Sequence, residues 1–266
     1  MFDRFDRPID YLRISVTDRC NLRCVYCMPA EGIRLIDHSS VLSFEEIAEF
    51  TRCAVELGIR KVRLTGGEPL VRKGTTHLVR MLSAIRGIED LSMTTNAILL
   101  PRYAVALKEA GLRRVNISLD TIDEAKFREI TRGGDIRDVL RGIEAARVAG
   151  LSPIKINCVI VDSPDDPDAL AVKRFCEEQG LIPRFIKQMD IEKGSFGVVH
   201  GGSGGHCASC NRLRLTSNGL LKPCLFNDVA FDIRKMNYRE ALRMAVDQKP
   251  RAGVHSNTHR FYNIGG

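Results

Sequence analysis

From residue 11 to about 190 the chain repeats one local pattern: a short strand-like run, then an amphipathic helical stretch closed by glycine. The strand candidates are Tyr11–Thr17, Lys61–Thr65, Leu91–Thr95, Arg114–Leu119, Ile154–Ile160 and Pro183–Met189, each rich in Val, Ile, Leu or Thr or alternating with period two. Between them the spacing predicts helices over Phe44–Leu57, Thr76–Arg86, Pro101–Ala110, Ile136–Ala149 and Asp168–Gln179. Each is followed by glycine, at 58, 87, 111, 150 and 180. Ser43 with Glu46 has the form of a capping box for the first of these. Six βα repeats predict a parallel sheet with right-handed crossovers, because parallel neighbours need a long connection. Spacing alone leaves an open barrel and a doubly wound sheet as alternatives. In both, functional loops follow the C-terminal ends of strands.

From about residue 191 the pattern changes. Gly201-Gly202-Ser203-Gly204-Gly205 reads as a linker or tight loop. Asn211–Thr216 alternates as a strand, Ser217-Asn218-Gly219 reads as a turn, and Leu220–Pro223 as the return strand. A short amphipathic helix is expected over Arg239–Val246. The division is therefore 1–190 and a small second domain, 191–266.

Cysteine placement carries the chemistry. Of nine cysteines, Cys53, Cys158 and Cys176 are isolated in apolar or amphipathic stretches and read as core residues. The rest form two triads, Cys20/Cys24/Cys27 and Cys207/Cys210/Cys224. Met1–Asp10 is charged and lacks the apolar region of a secretory leader, and no apolar run approaches the ~20 residues of a membrane span. The expectation is a cytoplasmic protein without a membrane partner, in which clustered cysteines bind metal rather than form disulfides. Trp is absent and aromatics are 6%, which argues against a base-stacking nucleic-acid surface. The net charge of +7 is compatible with an anionic ligand but names none.

Cys20, Cys24 and Cys27 have the spacing CxxxCxxC directly after the first strand. Three thiolates on one loop suit an iron–sulfur cubane whose fourth iron stays open. The second triad reads CxxC, thirteen residues, then Cys; its spacing leaves structural zinc open, with His206 as a fourth ligand. Arg212 and Arg214, two apart on a strand, share a face and suit one multidentate anion. Arg13 and Lys155 are charges inside apolar strand runs, where they need a partner or a ligand.

The first triad, with Tyr26 before its third cysteine, resembles the cluster loop of radical S-adenosylmethionine (SAM) enzymes, and Gly66-Gly67-Glu68-Pro69 resembles the loop that holds the methionyl amino group. In that family the open iron chelates SAM, and electron transfer cleaves it to a 5′-deoxyadenosyl radical. Cys207-Ala208-Ser209-Cys210-Asn211-Arg212-Leu213-Arg214 is similar to the C-terminal cluster motif of the GTP 3′,8-cyclases of molybdenum cofactor biosynthesis. The likeness extends over Tyr11–Asn21, Val62–Gly67, Thr94–Asn96, Val115–Asp120, Lys155–Asn157 and the terminal Gly265-Gly266.

The resemblance implies a partial (β/α)6 TIM-like barrel with a small C-terminal cluster-binding domain. It implies two [4Fe–4S] clusters, SAM as cofactor and GTP as substrate, cyclised to 3′,8-cyclo-7,8-dihydro-GTP. Carried over by matching motif, Cys20, Cys24, Cys27 and Arg13 are catalytic. Tyr26, Gly66, Gly67, Glu68, Ser118 and Met189 hold SAM. Arg13, Arg63, Thr94, Lys155, Arg212, Leu213 and Arg214 hold GTP, and the six triad cysteines hold the clusters. A reducing electron donor and cyclic pyranopterin monophosphate synthase downstream are the implied partners; a homodimer is left open. The alternative is a radical SAM peptide-modifying enzyme with an auxiliary cluster.

The chain departs from the family in four places. Several dozen residues are missing between the counterparts of Met189 and Gly194. Ala97 stands where Gly is usual, Lys187 where Glu is usual, and Gly201–Gly205 replaces a more varied stretch.

Overall fold

In the computed structural model, which describes residues 1–257 and Ile264, the strands form one nine-stranded sheet. In chain order they are β1 (Tyr11–Ser15), β2 (Lys61–Thr65), β3 (Asp90–Thr95), β4 (Arg114–Ser118), β5 (Lys155–Ile160), β6 (Ile182–Lys187), β7 (Arg212–Leu215), β8 (Leu220–Lys222) and β9 (Phe231–Asp232). Their spatial order is β6-β5-β4-β3-β2-β1-β7-β8-β9. Neighbours from β6 to β7 pair parallel, and β8 and β9 turn back antiparallel. The helices are α1 (Phe44–Glu56), α2 (Thr75–Ser83), α3 (Leu100–Glu109), α4 (Glu124–Thr131), α5 (Ile136–Val148), α6 (Pro167–Gln179) and α7 (Tyr238–Asp247).

The period-two pattern separates the two faces of the sheet. Leu12, Ile14, Val62, Leu64, Leu91, Met93, Val115, Ile117, Ile156, Leu213 and Leu215 are buried in one continuous apolar core with the helices. The alternate positions carry Tyr11, Arg13, Arg63, Thr94, Asn116, Ser118, Asn157, Arg184, Arg212 and Arg214, which line two cavities on the other face. The same alternation that makes the strands thus gives a greasy outer face and a polar, cationic inner one.

The expected strands and helices form with ends shifted by a few residues at most. The Ser43–Glu46 capping box is present in both directions. Pro183 is tolerated because β6 is the edge strand. α4 is an addition to the sequence reading: it buries only Phe127 and Thr131, too sparse an apolar period to register. The isolated Cys158 and Cys176 are buried, and Cys53 packs partly buried against the core.

The segment after β6 closes on itself. Asp190 and Ser195 exchange backbone hydrogen bonds of 2.9 and 2.8 Å around Gly194, whose φ is +68°. The chain then runs along the open edge of β6, where Phe185 and His200 exchange backbone bonds of 3.1 and 2.9 Å. The glycines here permit close approach: a Cβ on Gly205 would lie 2.2 Å from the Gly197 carbonyl oxygen.

Candidate active site: two cysteine triads on one polar face

The Cys20–Cys27 loop leaves β1 and is anchored from two sides. On one, Arg23 and Val25 donate their amides to the carbonyls of Thr131 and Ile130 at the end of α4, and Arg132 donates to the carbonyls of Arg23 and Met28. On the other, the Gly66-Gly67 backbone lies directly against the chain entering the loop. Gly67 N donates to Thr17 O at 2.7 Å and Glu68 N to Arg19 O at 2.8 Å. A Cβ on Gly67 would sit 2.3 Å from Arg19 O, so the second glycine is required by backbone contact.

The three thiols line a cavity with Tyr26, Gly66, Gly67, Glu68, Thr94, Ser118 and Met189, which brings every residue expected to hold SAM to one place. Tyr26 donates its hydroxyl to Asp120 at 2.6 Å, and Asp120 also accepts the Val159 amide at 2.8 Å. Glu68 is buried and accepts from Leu70 N, Thr95 Oγ1 and Asn96 N at 3.0, 2.9 and 2.7 Å. Burial pushes its carboxyl up to about 7. Burial also pushes Cys20 up to about 11 and Cys24, with Asp120 beside it, to about 12; Cys27 moves in the same direction. Bare, these thiols are protonated at neutral pH, so metal loading must displace protons.

The second triad is assembled by a hairpin. Cys207 and Cys210 precede β7 and Cys224 follows β8; the turn at Ser217–Gly219, with Gly219 at φ +89°, carries the third cysteine back. The thirteen-residue gap is the length of that excursion. Gly253 lies beside it, where a Cβ would be 3.3 Å from Cys224 Sγ. Burial raises the Cys210 thiol, but Lys249 and Arg212 outweigh it and bring the group down to about 7.

The second cavity is lined by this triad and by Tyr11, Arg13, Arg63, Arg184, Arg212 and Arg214. The arginines are in register: Arg13 pairs with Arg63 on one side and with Arg214 on the other. Arg63 and Arg214 are buried, and burial lowers both, Arg214 to about 10 with Arg212 adding to it. The two cavities meet at Asn157, Ile186 and Met189.

Three expected substrate residues lie outside the second cavity, and Thr94 lines the first instead. Leu213 faces the apolar core, fully buried, opposite to Arg212 and Arg214. Lys155 lines neither cavity; it sits one inward position below Asn157 and is lowered to about 8 by burial and then by Arg184, Arg114 and Arg63. Arg184 went unread in the sequence, although a cation inside an apolar strand is the signal that marked Arg13 and Lys155. The Gly265-Gly266 terminus lies outside the described residues. Ile264 before it is fully buried with Ile191, Leu225 and Phe226, next to Cys224 and Met189.

The donor sets fit iron–sulfur clusters. Each brings three thiols to one cavity, and Cys thiolates are the ligands such clusters take. The cavities also hold polar atoms with no partner among the described residues, including the hydroxyls of Tyr11, Thr65 and Thr94 and Nε of Arg184. Such atoms are costly unless a ligand satisfies them.

A Radical SAM superfamily profile matches residues 14–176, and a Molybdenum Cofactor Synthesis C profile matches residues 177–260. The GTP 3′,8-cyclase of Listeria monocytogenes is 42% identical over 300 residues, covering 93% of this chain and 90% of that protein. That of Alkaliphilus oremlandii is 43% identical over 298, covering 94% and 93%. This chain belongs to the GTP 3′,8-cyclase family of radical SAM enzymes. Membership brings SAM and a [4Fe–4S] cluster, for which the first triad has the matching spacing. The aligned stretch of 300 positions exceeds the 266 residues of this chain, so relatives carry residues it lacks. The crystal structure of Streptococcus suis SuiB bound to precursor peptide SuiA superposes with a TM-score of 0.69 at 15% identity, over 91% of this chain and 65% of that one. Methylornithine synthase superposes at 0.57 and 17% identity, over 69% and 54%. Both likenesses are of fold.

Proposed function

We propose that this enzyme converts GTP to 3′,8-cyclo-7,8-dihydro-GTP, the first step of molybdenum cofactor biosynthesis. The observation that carries the reading is the meeting of two cavities, one lined by the first triad and the Gly-Gly-Glu loop, the other by five arginines and the second triad. A polyanion in the second would present one end to the first across Asn157, Ile186 and Met189. Five guanidinium groups on one wall match the charge of a triphosphate, whereas a peptide would need a run of carboxylates to use them.

Cys20, Cys24 and Cys27 would hold one [4Fe–4S] cluster and Cys207, Cys210 and Cys224 a second. When bound, the first cluster and SAM supply a radical able to remove hydrogen from C3′ of the ribose. The chain's own residues orient and enclose. Gly66, Gly67, Glu68, Tyr26, Ser118 and Met189 wall the SAM side. Arg13, Arg63, Arg184, Arg212 and Arg214 bind the triphosphate and fix the nucleotide's register. The apolar wall of Ile186, Met189, Phe196 and Phe226 keeps water from the junction. Orientation carries much of the rate, because one hydrogen among several must be chosen. The reading includes an external electron donor, a downstream cyclic pyranopterin monophosphate synthase, and a division near residue 190 between barrel and cluster-binding segment. Among the described residues no helix is long and apolar enough to cross a membrane.

The test is GTP affinity of the reconstituted chain carrying Arg212→Ala and Arg214→Ala. Charge-assisted contacts of about 1.5–3 kcal/mol each predict a loss of tenfold or more. Unchanged affinity contradicts the reading.

A further inference from the structure

The charges around the two triads have opposite sign. The first-triad thiols feel the acids Glu68 and Asp120 and one another. The second triad is surrounded by cations. Arg7, 3% exposed, donates to the carbonyls of Cys207, Arg251 and Pro250, and its charge is met by Asp3 at 2.7 Å. Lys222 is fully buried, donates to Asn227 O, and faces Asp228. Arg212 donates to Ser203 O, and Arg214 shares its face of β7.

Lys249 differs from these. It is 1% exposed and lines the second cavity. Its Nζ donates to Arg212 O at 2.7 Å and Pro223 O at 2.6 Å, which ties the residues following Cys210 to the residue preceding Cys224. Burial works against its charge, and the Cys210 and Cys224 thiols work to keep it. The anionic groups that act on it are the thiols of Cys210 and Cys224, and no carboxylate pairs with it among the described residues. A buried ammonium needs a counter-charge, and two carbonyls do not supply one.

We propose that Lys249 is the built-in counter-charge of the second triad, and that it poises the group bound there at a higher reduction potential than the group bound by the first. The proposal rests on the reading that both triads hold clusters. Adding an electron to a cluster adds negative charge. A buried cation beside the ligands favours that state, and acids disfavour it. The consequence is a division of labour. The first site is the stronger reductant. The second accepts an electron more readily.

The test is a mediator-poised titration followed by electron paramagnetic resonance on reconstituted full-length chains. Cys24→Ala with Cys27→Ala isolates the second site, and Cys210→Ala with Cys224→Ala the first. The second site should titrate at the higher potential; the reverse order overturns the proposal. Lys249→Met, which keeps the stem and removes the charge, should lower the reduced-to-oxidised ratio of the second site about tenfold at fixed potential, equivalent to 59 mV for one electron. Lys249→Arg should stay near the parent. An unchanged ratio in Lys249→Met at equal iron content overturns the proposal and leaves the second cluster standing, as do equal shifts in the Met and Arg variants. If Lys249→Met loses iron that Lys249→Arg retains, the charge is again the difference and the proposal stands; loss from both overturns it. A second triad without iron in the chain that retains Lys249 overturns the two-cluster reading and the proposal together.

Discussion

Replacing Gly67 with alanine tests how the SAM loop is built. The added Cβ would lie 2.3 Å from Arg19 O, 2.6 Å from Arg19 C and 2.9 Å from Asp18 O, all backbone atoms. Such contacts do not fall below 3.0 Å, so the two backbones must part by at least 0.7 Å, the difference between 3.0 and 2.3. Gly67 N–Thr17 O and Glu68 N–Arg19 O start at 2.7 and 2.8 Å. Both then stretch beyond good N–H···O geometry. Losing two buried bonds costs about 2 kcal/mol in total, or roughly 4–8 °C of melting temperature for a chain of this size. Because Arg19 immediately precedes Cys20, the displacement also passes into the first triad. A shift of ~1 Å in a reacting group costs about a hundredfold in rate. The assays are thermal unfolding of the metal-free chain by circular dichroism and SAM cleavage by the reconstituted one. Melting within error of the parent, with unchanged cleavage, would refute the close-approach argument.

Three further outcomes are expected. Arg184→Ala should weaken GTP binding about tenfold without changing SAM binding, by calorimetry on the loaded chain. In the metal-free chain Glu68 has a folded value of about 7, above its ordinary 4.5, so it penalises folding as pH rises between those values and fully above them. Urea titrations should therefore show Glu68→Gln gaining on the parent as pH rises from 4.5 to 7, by at most about 3 kcal/mol. Gly142→Ala should destabilise by about 1–3 kcal/mol in spite of alanine's better helix propensity, because its Cβ would meet the Ala97 carbonyl at 2.1 Å; urea unfolding reads this directly.

The strands were legible because each carries two periodicities at once. In Tyr11–Ser15 the aliphatic positions go to the core and the alternate ones to the cavity, so Arg13 was visible as a charge that needed a ligand. Spacing also exposed the first triad, since ligands on a short loop are near neighbours whatever the fold, and the Cys207–Cys210 pair of the second; the return of Cys224 depended on the hairpin. The pairing of β7 with β1 was not legible, because no local pattern records a partner about two hundred residues away. Nor was α4, whose polar sequence conceals that its end anchors the first cysteine loop. Lys249 sits in a loop where no local pattern marks it; only the fold shows it enclosed and bonded to the Arg212 and Pro223 carbonyls. Leu213 shows what a motif carried over by resemblance leaves open, since any contact it makes in the cavity falls to its main chain. It stands between two cavity arginines, yet strand alternation turns its side chain to the core.

The central claim is that GTP is the molecule attacked. Its most direct test is the rate at which the anaerobically reconstituted chain forms 5′-deoxyadenosine with and without GTP, under a strong reductant. The account predicts that GTP accelerates formation and is consumed in step with it. Formation at the same rate without GTP, or with GTP recovered intact, would contradict it.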